Sequence, residues 1–276
     1  MLGFIGCGNM GSAIIKGIID SGIDPKNMYV YDHHKEKILN TNSKINICSN
    51  NIEVVNKSKY IFLAIKPHLY NEILQAIKDH LTYDKIIIIM AAGYTIKQAE
   101  EIIGNKKIVR IMPNTPALIK QGFITISYNN KLSIEEKNII INLLKNIGTV
   151  KEINEDLMNA YSSITGSGPA FVYLFIEAMA DAALLLGIPK KEAYEAISTM
   201  IIGSAKLLLE TSKHPAELRD MVTSPSGTTI EGIRTLEEKA FRSSIIECVV
   251  NTYKKNLDIK NIRWYLWNFW GICLCW

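Results

Sequence analysis

The sequence predicts a doubly wound α/β sheet followed by an all-α second half. Short apolar, β-branched runs alternate with longer amphipathic ones through the first half. A glycine turn stands between the first such run and an apolar helix. After about residue 153 the strand-like text stops and the hydrophobic period becomes 3.6.

Predicted strands are LGFI (2–5), MYVY (28–31), YIFLAI (60–65), KIIIIM (85–90), IVRIM (108–112) and FITIS (123–127). Helical text lies between most of them, as at Leu69 to Lys78 and Ile134 to Ile147. The early strands are continuous apolar runs, as expected where helices cover both faces of a parallel sheet. From Pro169 a stripe of Phe171, Leu174, Phe175, Ala178, Met179, Ala182, Leu185 and Leu186 predicts a long helix, stopped by Gly187 and Pro189. Further helices are predicted over 191–209, 215–222, 229–238 and 241–254. Residues 171–186 are apolar nearly all round, so their helix is the centre of a bundle or an oligomer interface.

A chain of 276 residues is long enough for two domains, each with its own core. We set the boundaries at 1–153, 154–256 and an atypical aromatic tail, 257–276. That tail holds all four tryptophans and two of the five cysteines. It reads either as a packed or unusual terminus or as an amphipathic membrane-surface or partner-docking helix. With 48% hydrophobic and 21% charged residues the composition is that of a soluble globular protein. A net charge of +4, scattered along the chain, gives no footprint for nucleic acid. Cysteines at 7, 48, 248, 273 and 275 form no C-x-x-C pair, so no metal site and no disulfide framework is expected, and a reducing cytoplasm fits best. The apolar first fifteen residues lack a basic start and are broken by glycines, which argues against a signal peptide. No uninterrupted apolar run of about 18 residues predicts a membrane span.

Gly6-Cys7-Gly8-Asn9-Met10-Gly11 follows a predicted strand and opens an apolar helix. In that setting the first glycine allows the tight turn, the second lets backbone approach a pyrophosphate, and the third lets helix and strand pack closely. Free N–H groups at the helix start then hold phosphate. Asp32, at the end of the second strand, stands where an acid would bond a ribose 2′-hydroxyl and favour NAD. His33, His34 and Lys35 follow at once and are suited to a 2′-phosphate, so NADH and NADPH both stand. Ala64-Ile65-Lys66-Pro67-His68 and Met112-Pro113-Asn114-Thr115-Pro116 close two further strands, where doubly wound sheets place ligands.

In the second half, Ser224-Pro225-Ser226-Gly227-Thr228-Thr229 precedes a helix, and its N–H groups make an anion site for a carboxylate. Ser224 and Gly227 belong to that site. Thr229, in the first turn of that helix, either donates or relays a proton through its hydroxyl or serves as the helix N-cap.

Together the segments GFIGCGNMGSAI, AIKPH, RIMPNTPA, GSGPAF and VTSPSGTTIEGIRTLE resemble pyrroline-5-carboxylate reductases, in order and spacing, over residues 2–256. The resemblance implies reduction of 1-pyrroline-5-carboxylate to L-proline with NADPH or NADH. It implies a Rossmann domain and an all-α dimerisation domain, with sites at the interface of a homodimer and often a larger ring. It places cofactor contacts on the glycine turn, Asp32, His33, Asn51, Ile65, Lys66 and Ala92, and substrate contacts on Glu155, Thr228 and Thr229. Lys66 reads equally as a solvated charge, and Glu155 as an acidic helix-start residue.

Hydride transfer to a C=N bond needs a nicotinamide face at the imine carbon, a protonated nitrogen and a fixed carboxylate, so no strongly basic catalytic residue is required. One departure is Ser226, giving SPSG where the family usually has SPGG, so a positive φ there would be costly. Another Rossmann dehydrogenase with a helical second domain would leave the SPSGTT loop unexplained. A dinucleotide-binding sensor without turnover is the reading from outside enzymology.

Overall fold

The computed structural model describes residues 1–259. Its strands are β1 (Leu2–Ile5), β2 (Met28–Tyr31), β3 (Asn46–Ile47), β4 (Tyr60–Leu63), β5 (Ile86–Ile89), β6 (Lys107–Met112), β7 (Gly122–Tyr128) and β8 (Gly148–Glu152). They form one sheet in the order β3-β2-β1-β4-β5-β6-β7-β8. Strands β1 to β6 run parallel, β7 runs antiparallel to β6, and β8 is parallel to β7. The order reverses between β1 and β4, which is the switch point of a doubly wound sheet. Two strands were not expected from the sequence. Strand β3 has only two residues, and β8, GTVKE, is polar and largely unburied, so neither carries an apolar signature.

Helices α1 (Asn9–Asp20), α2 (Lys35–Thr41), α3 (Asn51–Lys57), α4 (Tyr70–Ile77), α5 (Ile96–Ile103) and α6 (Ile134–Lys145) connect the strands. Their starts follow local chemistry. Asn50 accepts from Glu53 N–H at α3, and Thr95 with Gln98 and Ser133 with Glu136 form capping boxes at α5 and α6. Alternation along the strands divides the core. Phe4, Phe62, Ile86, Ile88, Val109 and Ile111 pack with Ile14, Ile18, Ile140 and Leu144 on one face. Ile5, Ile61, Leu63, Ile87, Ile89 and Ile108 pack with Val54, Leu74, Ile77 and Ala99 on the other. Each such aliphatic side chain contributes roughly 1.5–3 kcal/mol by its burial.

Next come α7 (Met158–Tyr161), a π turn over Ser162–Gly166, and α8 (Gly168–Leu185). The chain is therefore helical well before Pro169, where the sequence placed the start. Pro169 lacks the N–H that would bond Thr165 O and its ring crowds that carbonyl. The wider turn, with Ser167 N–H donating to Ser162 O at 3.0 Å, accommodates it. By length and composition alone, the helical run Glu155–Leu185 could cross a membrane.

Remaining helices are α9 (Lys190–Thr211), α10 (Pro215–Met221), α11 (Thr228–Glu238) and α12 (Phe241–Ile259). Gly187, at φ 88°, ends the turn after α8 as its position predicts. The last residues of α12 extend into the stretch expected as an atypical tail; the rest of that tail lies outside the described residues.

Two compact units result. One is Met1–Ser167 with the described residues from Thr252; the other is Gly168–Asn251. The first unit thus reaches past the 153/154 boundary set from the sequence and regains the end of α12, where Asn256 Nδ2 donates to Ser163 Oγ at 2.9 Å. In the second unit the buried apolar residues are only Ala180, Ala193 and Ile197, packed by Ile176, Met179, Ala183 and Ile201. Much of α8 faces solvent in the single chain: Leu174 is 67% and Leu185 90% exposed. A unit with so small a core needs further burial to be stable.

Candidate dinucleotide and substrate sites

Register decides what the first unit assembles. Ile5 pairs with Tyr31 and with Leu63, and Leu63 pairs with Ile89, so four parallel strands end at one edge. The segments that follow them, Gly6–Gly11, Asp32–His33, Ala64–Lys66 and Met90–Ala92, line that edge. Tyr70, fully buried, fastens it: its hydroxyl donates to Leu63 O at 2.5 Å and accepts from Met90 N–H at 3.0 Å.

Within the glycine turn the three glycines differ. Gly6 has φ 95°, and a Cβ there would lie 2.3 Å from Ala64 O. A Cβ on Gly11 would lie 2.8 Å from Gly6 O, so helix and turn touch through it. A Cβ on Gly8 would meet nothing within 4 Å. Gly8 therefore has no packing reason to be glycine, and its bare face is open at the start of α1, whose N-cap is Gly8 without a side-chain cap. That is the space a pyrophosphate takes. Asn51 adds a second sign of fit: its Oδ1 is buried with no partner, a polar atom left for a ligand. The residues present thus suit a dinucleotide.

Asp32 spends its carboxylate on the backbone. Oδ2 accepts from Cys7 N–H at 2.8 Å and Oδ1 from His34 N–H at 2.9 Å, which ties the glycine turn to the end of β2. His33 is exposed and its Nδ1 lies 3.3 Å from Tyr31 Oη. Cys7 is buried, and burial pushes its thiol pKa up, with Asp32 adding and Thr41 and Lys37 opposing. Burial likewise raises the Cys48 thiol to about 11. Lys66 is exposed, while Ile65 and Ala92 are half-buried.

Glu155 opens a short 3-10 turn, but its carboxylate serves a distant partner. Oε1 accepts from Arg110 Nη1 at 2.9 Å and from Ile96 N–H, the first helical residue of α5, at 2.8 Å. Arg110 is 1% exposed in the middle of β6. Burial pulls its pKa down, opposed by the hydrogen bond and charge of Glu155. Both line a pocket of about 360 Å³ with Lys97, Asp156 and Asn159. Sequence reasoning passed over Arg110; its signal was a lone charge inside the apolar run IVRIM.

In the second unit, Ser224 lies in the turn before α11, Gly227 caps the helix, and Thr228 and Thr229 are its first two residues. Gly227 N–H donates to Ser224 O at 3.1 Å, and a Cβ on Gly227 would lie 2.4 Å from Ser224 Oγ. Gly227 is the N-cap and provides no side-chain cap. Thr229 is therefore not the N-cap, and among the described residues its exposed hydroxyl has no hydrogen-bond partner within the chain. Ser226 has φ 58°, the left-handed conformation in which a side chain is costly.

A glycine turn at a switch point, open beside a free helix start, together with a second, helical unit, defines a dinucleotide-dependent oxidoreductase. The chain is 40% identical to pyrroline-5-carboxylate reductase of Escherichia coli (strain K12), over 92% of this chain and 96% of that one. It belongs to the pyrroline-5-carboxylate reductase family and uses NAD(P)H. Residues 155–259 match the pyrroline-5-carboxylate reductase dimerisation family, and residues 1–93 match the family described as NADP oxidoreductase coenzyme F420-dependent. Among solved structures, Plasmodium falciparum pyrroline carboxylate reductase with NADP bound is similar at a TM-score of 0.87 and 31% identity, covering 94% of this chain and 97% of that one. A pyrroline-5-carboxylate reductase from Coxiella burnetii follows at 0.86 and 30%, covering 94% and 97%. The apolar helix α8 lies inside the dimerisation match, so the chain is built to oligomerise.

Proposed function

We propose that the chain reduces 1-pyrroline-5-carboxylate to L-proline with NAD(P)H, the last step of proline synthesis. The observation that carries the reading is the start of α11. Its first N–H groups have no helical acceptor, and among the described residues no side chain caps them and none engages the Thr229 hydroxyl. A helix start so prepared suits a small carboxylate with a hydrogen-bonding nitrogen beside it.

In this reading Ser224, Gly227, Thr228 and Thr229 hold the substrate carboxylate, and Thr229 donates to the ring nitrogen. Glu155 is the acidic member of the substrate set, and its charge favours a protonated imine nitrogen, the better hydride acceptor. Gly6, Cys7, Gly8, Asn9, Met10, Gly11, Asp32, His33, Asn51, Ile65, Lys66 and Ala92 hold the cofactor, which supplies the hydride when bound. The protein contributes geometry and charge, consistent with the absence of any demand for a strong base. Residues 1–153 serve as the dinucleotide-binding domain and 154–256 as the substrate and dimerisation domain. A cytoplasmic homodimer, open to assembly into a larger ring, completes the reading; the dimerisation match and the exposed face of α8 support the dimer.

Steady-state oxidation of NADPH and NADH with 1-pyrroline-5-carboxylate tests the proposal. Consumption of at least one cofactor is expected. Binding of both without consumption of either would make the chain a sensor. Light scattering on the eluted protein reads the assembly.

A further inference from the structure

We propose that Arg110 is a positioning residue for the reduction: with the start of α5 it clamps one carboxylate oxygen of Glu155, leaving the other fixed and available to the substrate nitrogen. This rests on the reading that Glu155 faces the substrate.

The geometry is asymmetric. Arg110 Nη1 and Ile96 N–H both converge on Oε1, at 2.9 and 2.8 Å. Oε2 has no hydrogen-bond partner within the chain among the described residues. Two donors on one oxygen fix the plane of the carboxylate as well as its position, which a single contact does not. Glu155 is 26% exposed on its side chain and lines the pocket with Lys97, Asp156 and Asn159, so a ligand there can reach it.

Stability alone is a poor reason for this pair. Arg110 is 1% exposed, and its Nε and Nη2 are buried without partners. Desolvating a guanidinium costs several kcal/mol, and leaving donors unmade adds to that. An apolar side chain of similar volume would suit the face shared with Ile108 and α5 better. Glu155 touches water, so removing Arg110 strands no buried anion. What a cation in this place does provide is a rigid hold on Glu155, and hydride transfer is sensitive to errors of an ångström.

The test uses the full chain with Arg110→Met, Arg110→Lys, Glu155→Gln and the double variant Arg110→Met with Glu155→Gln. It reads kcat/KM for 1-pyrroline-5-carboxylate, NADPH affinity by fluorescence titration, and Tm. Arg110→Met is expected to lower kcat/KM by about 10-fold to 100-fold with NADPH affinity unchanged. Arg110→Lys, which keeps the charge without the planar fork, is expected to fall between Arg110→Met and the parent. The double variant is expected to be no worse than Glu155→Gln. Losses that multiply in the double variant overturn the proposal, as does an undiminished kcat/KM in Arg110→Met. Should Arg110→Met fail to fold, Arg110→Lys decides: a lowered kcat/KM at parental Tm supports the role, and an unchanged one overturns it. Impaired Glu155→Gln beside unimpaired Arg110 variants sinks the positioning role alone. An unimpaired Glu155→Gln sinks the substrate assignment of Glu155 itself.

Discussion

Asn114 Nδ2 donates at 2.9 Å to the carbonyl of Thr165, the acceptor that Pro169, four residues later, has no N–H to satisfy. Its Oδ1 accepts from Phe123 N–H at 2.9 Å, so one amide joins the end of β6, the start of β7 and the π turn. Asn114 is 9% exposed, and water replaces neither bond easily. Asn114→Ala is expected to cost about 2 kcal/mol of stability by denaturant titration. An unchanged midpoint would mean the π turn does not depend on this amide.

The three glycines of the turn should separate folding from binding. Gly8→Ala adds a methyl into open space, so Tm should hold while NADPH affinity drops at least about tenfold, because the methyl occupies pyrophosphate space. Gly6→Ala combines φ 95° with a 2.3 Å clash and should lower Tm sharply. Paired thermal melts and fluorescence titrations decide, and equal effects of the two substitutions would refute the division of labour.

Thr229→Val removes a hydroxyl that no other described residue uses. Stability is expected to stay within about 0.5 kcal/mol and NADPH affinity to stay at the parent value. Turnover should fall by about 10² or more, the range for loss of a positioned proton donor. An unchanged kcat would remove Thr229 from the chemistry.

Ser226 holds φ 58°, a conformation glycine adopts freely. Ser226→Gly is expected to stabilise the protein by about 1 kcal/mol, while Ser226→Val destabilises it. Urea denaturation of both variants checks the sign; a less stable glycine variant contradicts the strain.

Glu136 gives a pH signature. Burial pushes its pKa up, but Lys107 at 2.7 Å, the Ser133 N–H and the charge of Lys59 outweigh this, and the net shift is downward. A folded pKa below the unfolded value, about 4.3, means stability present above that pH and lost as pH falls through the folded value. The parent should therefore lose Tm more steeply than Glu136→Gln on acidification below about pH 5. Parallel slopes would show that Glu136 does not titrate with folding.

The glycine turn and the early strands could be read from the sequence because their causes are local: a turn too tight for Cβ, and apolar runs flanked by helices. Ser226 was legible for the same reason, since one backbone angle decides its cost. The tie between Arg110 and Glu155 spans 45 positions and has no local pattern beyond a charge in an apolar strand. The return of α12 to the first unit, through Asn256 and Ser163, spans 93 positions and has none at all. Strand β8 hid because its residues are polar and pair only once β7 is in place.

The exposed face of α8 shapes how the protein comes into being. Leu174 at 67% and Leu185 at 90% exposure present a newly made chain with a sticky surface and a helical unit that holds few buried side chains of its own. Where a second copy covers that face, the stability of the unit depends on the concentration of the chain. Dilution then weakens it, and a higher chain concentration favours it.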